Sequence, residues 1–242
     1  MPEKRIVFVE QITRSSATLS APLISSPSPK VFLLSPANAA GIRGKLLFNP
    51  TAQFDLARRL STGAPLGEVY SFISGLYFRG KLAYAQRFAD SSRDVAPVHI
   101  ITASAGLLPP DTLITLSALQ TISFTSVDEK NHHYRQPLVR DAISLRAHLS
   151  PETQVVLLGS IATPKYVEPL LEVFGDRLMF PKDFVGRGDM SRGGLLLRCC
   201  LSGSPLEYMP VAGAIRHGQR PAKLTPSPNP AKPKQKRRRK PQ

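Results

Sequence analysis

Four short apolar runs set the rhythm of the chain: residues 31–35 (VFLLS), 97–103 (PVHIITA), 154–158 (QVVLL) and 177–180 (RLMF). Each is too short for a helix of ordinary length and is bounded by Gly, Pro or Ser, so each reads as a strand buried on both faces. Between them the period changes. Residues 68–89 place Val69, Phe72, Ile73, Leu76, Ala83, Tyr84 and Phe88 at spacings of three and four, which predicts one long helix with a buried face. Residues 136–149 repeat that period, residues 50–60 carry a shorter version starting near Thr51, and Thr163–Pro164 has the form of an N-cap followed by a first helical residue. Strand and helix alternate from 31 to 180. The pattern predicts an α/β fold: a mostly parallel sheet of about four to six strands with helices on both faces.

The remaining stretches fit around that frame. Residues 4–9 (RIVFVE) suggest a peripheral first strand, and residues 11–30, rich in Ser, Thr and Pro, a lead-in without period. Residues 121–127 (TISFTSV) alternate like an outer strand, after a turn in which Asp111 or Thr112 would cap a short helix. Residues 195–201 (LLLRCCL) read as a strand with residues 206–211 as its antiparallel return, a small C-terminal hairpin. The expected organisation is a lead-in over 1–30, a single α/β domain over 31–220, and a tail over 221–242. That tail holds six prolines and eight Lys or Arg, with no acid and no periodic apolar face, so it cannot bury enough surface to fold.

In a parallel sheet, ligands bind beyond the carboxyl ends of the strands. The turns expected there are small-residue loops: 36–45 with Arg43 and Lys45, 104–111, 159–163 (GSIAT) and 186–194 (GRGDMSRGG). Small residues ahead of a helix let a ligand approach backbone N–H groups that have no partner inside the helix. The expected phosphate-binding set is therefore Arg43, Lys45, Gly159, Ser160, Thr163, Lys165, Arg187, Gly188, Arg192 and Gly193. Asp189, an acid among arginines and glycines, is the first candidate for chemistry, either activating water or holding an arginine in place. Glu68 is the second. Gly75 and Gly80 interrupt the longest helix at about 1 kcal/mol each relative to alanine, so a close backbone or a ligand must offset them. Glu68, Tyr70, Tyr77, Arg79 and Lys81 would be the side chains in reach.

Charge adds a partner class. The net charge is +15, and removing the eight tail cations leaves +7 for the first 220 residues, so the folded part is itself basic. That favours an anionic partner, nucleic acid or nucleotide. Lys234, Lys236, Arg237, Arg238, Arg239 and Lys240 would add salt-dependent, unselective affinity for a polyphosphate backbone, or serve only solubility. No run approaches the roughly 18 to 20 apolar residues of a membrane span, and the first residues have no hydrophobic segment of a signal peptide, so a cytoplasmic protein is expected. Cys199 and Cys200 are adjacent, which suits two free thiols. His132 and His133 fall in a polar loop. No Cys or His spacing matches a metal site, and no cofactor is named by any motif.

Familiar fingerprints fail in informative ways. Residues 188–195 have two glycines at the P-loop separation but lack the following Lys and Ser/Thr, and the expected next element is a strand. No GxGxxG follows a strand, and there is no GxSxG elbow. The Arg187-Gly188-Asp189 tripeptide matches an adhesion motif in letters only.

The stretches SGLYFRGKLAYA, GSIATPKY and GRGDMSRGGLLLR resemble an uncharacterised family of bacterial proteins over most of residues 31–220. Residues 104–109 (SAGLLP) and 159–166 are similar to α/β domains of tRNA-base-modifying proteins, which resemble the uracil-DNA glycosylase fold. The water-activating and histidine-containing glycosylase motifs are missing here. The combined expectation is a nucleic-acid- or nucleotide-handling protein that holds a phosphate at the carboxyl edge of the sheet, with hydrolysis or base removal as the reaction class if it is catalytic. The alternatives are a non-catalytic nucleic-acid-binding adaptor and an enzyme acting on a small phosphorylated metabolite.

Overall fold

The structure, a computed structural model, describes residues 28–89 and 95–225. The strand expected at 4–9 and the cations Lys234 to Lys240 lie outside the described residues. The chain runs through β1 (Lys30–Leu34), α1 (Ile42–Leu47), α2 (Asp55–Arg59), β2 (Ala64–Pro65), α3 (Leu66–Ser74), α4 (Leu76–Phe88), β3 (Val98–Ile101), β4 (Leu107–Leu108) and β5 (Leu113–Ile114). It continues through α5 (Leu116–Phe124), α6 (His132–Ala147), β6 (Gln154–Leu158), α7 (Pro164–Phe174), β7 (Leu178–Pro181), α8 (Asp189–Ser202) and β8 (Tyr208–Pro210).

The four apolar runs become the inner strands of a six-stranded sheet ordered β4-β3-β1-β6-β7-β8, while β2 and β5 pair separately. The inner four are parallel, with Phe32 between Val98 and Val156 and Leu34 between Ile100 and Leu158. The outer two run antiparallel to their neighbours. Phe32, Leu33, Leu34 and every residue from 155 to 158 are fully buried. Each such side chain contributes roughly 1.5–3 kcal/mol relative to an exposed one, which is why near-continuous apolar runs, and not alternating ones, occupy the centre.

The order also fixes the faces. From β1 the chain moves to β3 on one side, then crosses back to β6 on the other. Right-handed crossovers in opposite directions place α4 on one face and α6 with α7 on the other. α8 joins the α4 face, and the two helices meet backbone to backbone. A Cβ at Gly80 would lie 2.7 Å from the Gly193 carbonyl oxygen, and one at Gly193 would lie 2.8 Å from the Tyr77 Cα. The cost of Gly80 is thus offset by close helix contact.

Several expectations are corrected. The helix expected over 68–89 is two helices, broken at Gly75, whose φ of 63° and ψ of −125° lie outside the helical region. Residues 121–127 are not an outer strand. Thr115 Oγ1 accepts from the Ala118 N–H at 3.3 Å and starts α5, which buries Leu119 and Ile122 one turn apart, so Thr115 takes the capping role expected of Asp111 or Thr112. The loop of 186–194 and the strand of 195–201 are in fact the start and body of α8, with Gly188 as N-cap and a left-handed Gly203 ending it. β8 consequently pairs with β7 instead of forming a hairpin with 195–201, and Cys199 and Cys200 sit on a helix as free thiols. Residues 36–45 end inside α1. Residues 221–225 follow α8 past the expected boundary at 220: Arg198 Nη2 donates to the Thr225 carbonyl, and Leu224 lies against Gly194.

Candidate functional site

The sheet order reverses between β1 and β6, and the loops leaving these strands diverge there, which opens a crevice at their carboxyl ends. Ser35 closes β1 and donates its backbone N–H to the Leu158 carbonyl. Gly159 stands opposite, where a Cβ would meet the Ser35 Cβ at 3.0 Å. Lys81 reaches this point from α4. Its ammonium donates to the Ser35 carbonyl at 2.5 Å and to Ser35 Oγ at 2.8 Å, and it lies over the rings of Tyr77 and Phe78 at 4.5 and 4.9 Å. Only 1% of Lys81 is exposed. Burial brings its pKa down to about 7, with Asp189 opposing that shift and Arg192 adding to it. Burial pushes the Tyr77 hydroxyl up to about 12, and the neighbouring Arg192 guanidinium partly offsets this.

Beyond Lys81 lies the start of α8. Arg192 donates from Nε and Nη2 to the Phe184 carbonyl at 3.2 and 2.9 Å, lies over the Phe184 ring, and has Asp189 Oδ1 3.6 Å from its Nη1. Asp189 itself is largely exposed. Arg187 places Nη1 3.4 Å from Ser191 Oγ, while its buried Nε has no partner. Facing them is the segment that carries Arg216, His217 and Arg220. Two glycines allow that approach. A Cβ at Gly186 (φ 70°) would fall 2.1 Å from the Gln219 carbonyl oxygen, and one at Gly218 would fall 2.4 Å from Val185 Cγ1. The result is a cavity of about 450 Å³ walled by Arg187, Arg192, Arg216, His217, Arg220 and the Gly188 backbone. Among the described residues no carboxylate lines it, and Arg216 and Arg220 have no ion pair.

A second cavity, of about 310 Å³, opens over the ends of β1 and β3. Tyr70, Tyr166, Lys165 and Asn38 form part of its wall. The Lys165 ammonium lies over the Tyr166 ring at 5.1 Å.

The expected site residues divide accordingly. Arg187, Gly188 and Arg192 meet at the arginine cavity, with Asp189 beside them. Gly159 is at the crevice, Ser160 accepts from the Ala162 N–H at 3.3 Å, and Lys165 belongs to the second cavity. Thr163 occupies the N-cap of α7 but its side chain makes no cap bond. Gly193 packs against the α4 backbone and lines neither cavity. Arg43 lies across Gly75 with Nη1 3.4 Å from the Phe72 carbonyl, and Lys45 is exposed at the end of α1. Neither lines either cavity. Glu68 is ion-paired to Arg59, with Arg59 Nη1 donating to Oε2 at 2.9 Å. It borders a cleft with Pro97, Val98 and Pro110, at the amino end of β3, so the sheet separates it from Asp189.

Ser35, Lys81, Tyr166, Arg216 and Arg220 lie outside the expected phosphate-binding set. Lys81 had a signal: it follows Tyr77 and Phe78 by four and three residues, on the apolar face of its helix. Arg216 and Arg220 had none, because only the Gly186–Gly218 crossing brings them in. Among the described residues no group of three His, Cys, Asp or Glu side chains could hold a metal ion, and no helix is long and apolar enough to cross a membrane. Comparison with family models, curated proteins and solved structures returns no match.

Proposed function

We propose that this chain binds a phosphate-bearing ligand, a nucleotide or a nucleic-acid phosphate, in the arginine cavity at the start of α8. The observation that carries the reading is the convergence of Arg187, Arg216 and Arg220, none of them ion-paired among the described residues, on one cavity with no carboxylate in its wall; the nearby Asp189 pairs with Arg192. Guanidinium forks match phosphate oxygens in pairs, and charge-assisted bonds of this kind are roughly twice as strong as neutral ones. The first N–H groups of α8, which have no intrahelical partner, receive no side-chain cap from Gly188, and they stand at the end of the helix that favours negative charge. Asp189 acts here by holding Arg192, whose guanidinium is also anchored on the Phe184 carbonyl. The contribution of Arg192 is therefore to the cavity's shape as much as to its charge.

Isothermal titration of pyrophosphate and of nucleoside monophosphates into the full chain tests this. Saturable binding is expected, and Arg187→Ala combined with Arg220→Ala should weaken it about tenfold or more, consistent with the removal of two charge-assisted bonds. Lys45→Ala should leave it unchanged. Equal binding by the wild type and the double variant would contradict the assignment.

A further inference from the structure

The second cavity differs from the first in chemistry. Where the arginine cavity presents several guanidinium groups, this one combines Tyr70, Tyr166 and the single ammonium of Lys165 with a mixed set of donors and acceptors. Ser123 and Thr125 both line it, and their hydroxyls donate within α5 to the Leu119 and Thr121 carbonyls at 2.6 and 3.1 Å. What they leave for a ligand is acceptor lone pairs. Asn38 Oδ1 accepts from the Ala40 N–H at 3.1 Å, which leaves its amide NH₂ as the available donor. Tyr70 is 0% exposed, and its hydroxyl is buried without a partner. An unpaired hydroxyl shut away from water costs about 1–3 kcal/mol, a cost that a ligand group meeting it would relieve. Acceptors and donors side by side in a wall that also holds two tyrosines suit the edge of a planar heterocycle, whereas a phosphate would use only the donors.

The two cavities are joined through one short piece of chain. Ala162 walls the arginine cavity, and Lys165 and Tyr166, the next turn along, wall this one. A single ligand that used both cavities would place its anionic end on the Ala162 side of this short segment and its planar end on the Tyr166 side.

We infer that the cavity walled by Tyr70, Tyr166, Asn38, Ser123 and Thr125 is the nucleobase subsite of the ligand whose phosphate occupies the arginine cavity. This deepens the phosphate reading and rests on it. A free nucleotide and a nucleotide within a single-stranded RNA share the recognised chemistry.

The test is calorimetric titration of the full chain with four nucleoside 5′-monophosphates, ribose 5-phosphate, inorganic phosphate, the corresponding nucleosides and a short single-stranded RNA. At least one monophosphate should bind about tenfold tighter than ribose 5-phosphate, the difference being the base. Tyr70→Phe should abolish most of that difference while leaving ribose 5-phosphate affinity unchanged and raising thermal stability, because the hydroxyl is buried without a partner in the free protein. Asn38→Ala, at an exposed position, gives a second readout should Tyr70→Phe fail to fold. Monophosphates and ribose 5-phosphate binding equally, with neither variant altering either, overturns the base subsite and leaves the phosphate site standing. A nucleoside that binds and responds to these variants, alongside monophosphates indifferent to Arg187→Ala and Arg220→Ala, upholds the base subsite and removes the phosphate reading. No binding by any probe removes both. Tighter binding of the RNA than of every mononucleotide identifies a nucleic-acid strand as the source, and the reverse identifies a free nucleotide.

Discussion

Lys81 is the residue where burial and charge are most sharply opposed. The amine is sealed between two aromatic rings and the end of β1, and its proton is held less tightly than in water. Its pKa in the folded chain is about 7, against 10.5 ordinarily. Below pH 7 it is charged in both the folded and unfolded states, and folding bears the full cost of burying the ammonium. Between pH 7 and about 10.5 the unfolded chain keeps the proton that the folded chain has released, so stability rises with pH, by at most ~1.4 kcal/mol per pH unit. Lys81→Met removes that dependence. Urea unfolding at pH 6, 8 and 9.5 should show the wild type gaining on the order of a few kcal/mol relative to Lys81→Met across the series. Parallel profiles would mean that the amine titrates as it does in solvent. The same titration bears on the site, because protonated Lys81 adds a positive charge behind Arg192 below neutral pH.

At the scale of elements, the α4–α8 contact positions both Lys81 and the start of α8. Gly193→Ala would improve helix propensity, yet its methyl would strike the Tyr77 backbone, which cannot rotate away. We expect Gly193→Ala to lower unfolding free energy by about 1–3 kcal/mol in chemical denaturation, as overpacking does elsewhere, and to weaken phosphate binding by displacing α8. An increase in stability would show that the helices separate without cost. This contact also explains what the sequence hid. Gly193 and Gly194 look like loop residues, and a seven-residue apolar run such as 195–201 has no periodicity that separates a buried strand from a buried helix. The stop signal for α8 is Gly203, in the left-handed conformation that ends it. For residues 121–127, local β propensity lost to a Thr115 cap and to Leu119 and Ile122 packing one turn apart. The inner strands, by contrast, were legible because both of their faces are buried and their runs are uninterrupted.

At the scale of the molecule, the sheet's order reversal assembles what the sequence keeps apart. Arg187 and Gly188 were readable as a permissive turn, but Arg216 and Arg220 reach them only through the Gly186–Gly218 crossing, a tertiary event with no local pattern. Glu68 shows the converse: it looked like a partner for Asp189, but β4 runs antiparallel to β3, so the turn after it, together with Gly67, lies at the opposite end of the sheet. The excess positive charge has two sources, the folded arginines and the Lys and Arg of residues 226–242, and they predict different salt behaviour. Removing one phosphate contact to a single strand makes the slope of log affinity against log salt shallower by roughly 0.7. Fluorescence anisotropy with a single-stranded RNA, over a salt series, compares the full chain, a chain ending at Thr225, and full-length Arg187→Ala with Arg220→Ala. Binding that survives truncation with a shallower slope, and falls about tenfold or more in the arginine variant, is the result expected of a phosphate site in the fold. Binding that vanishes on truncation and ignores the arginine substitutions would contradict it.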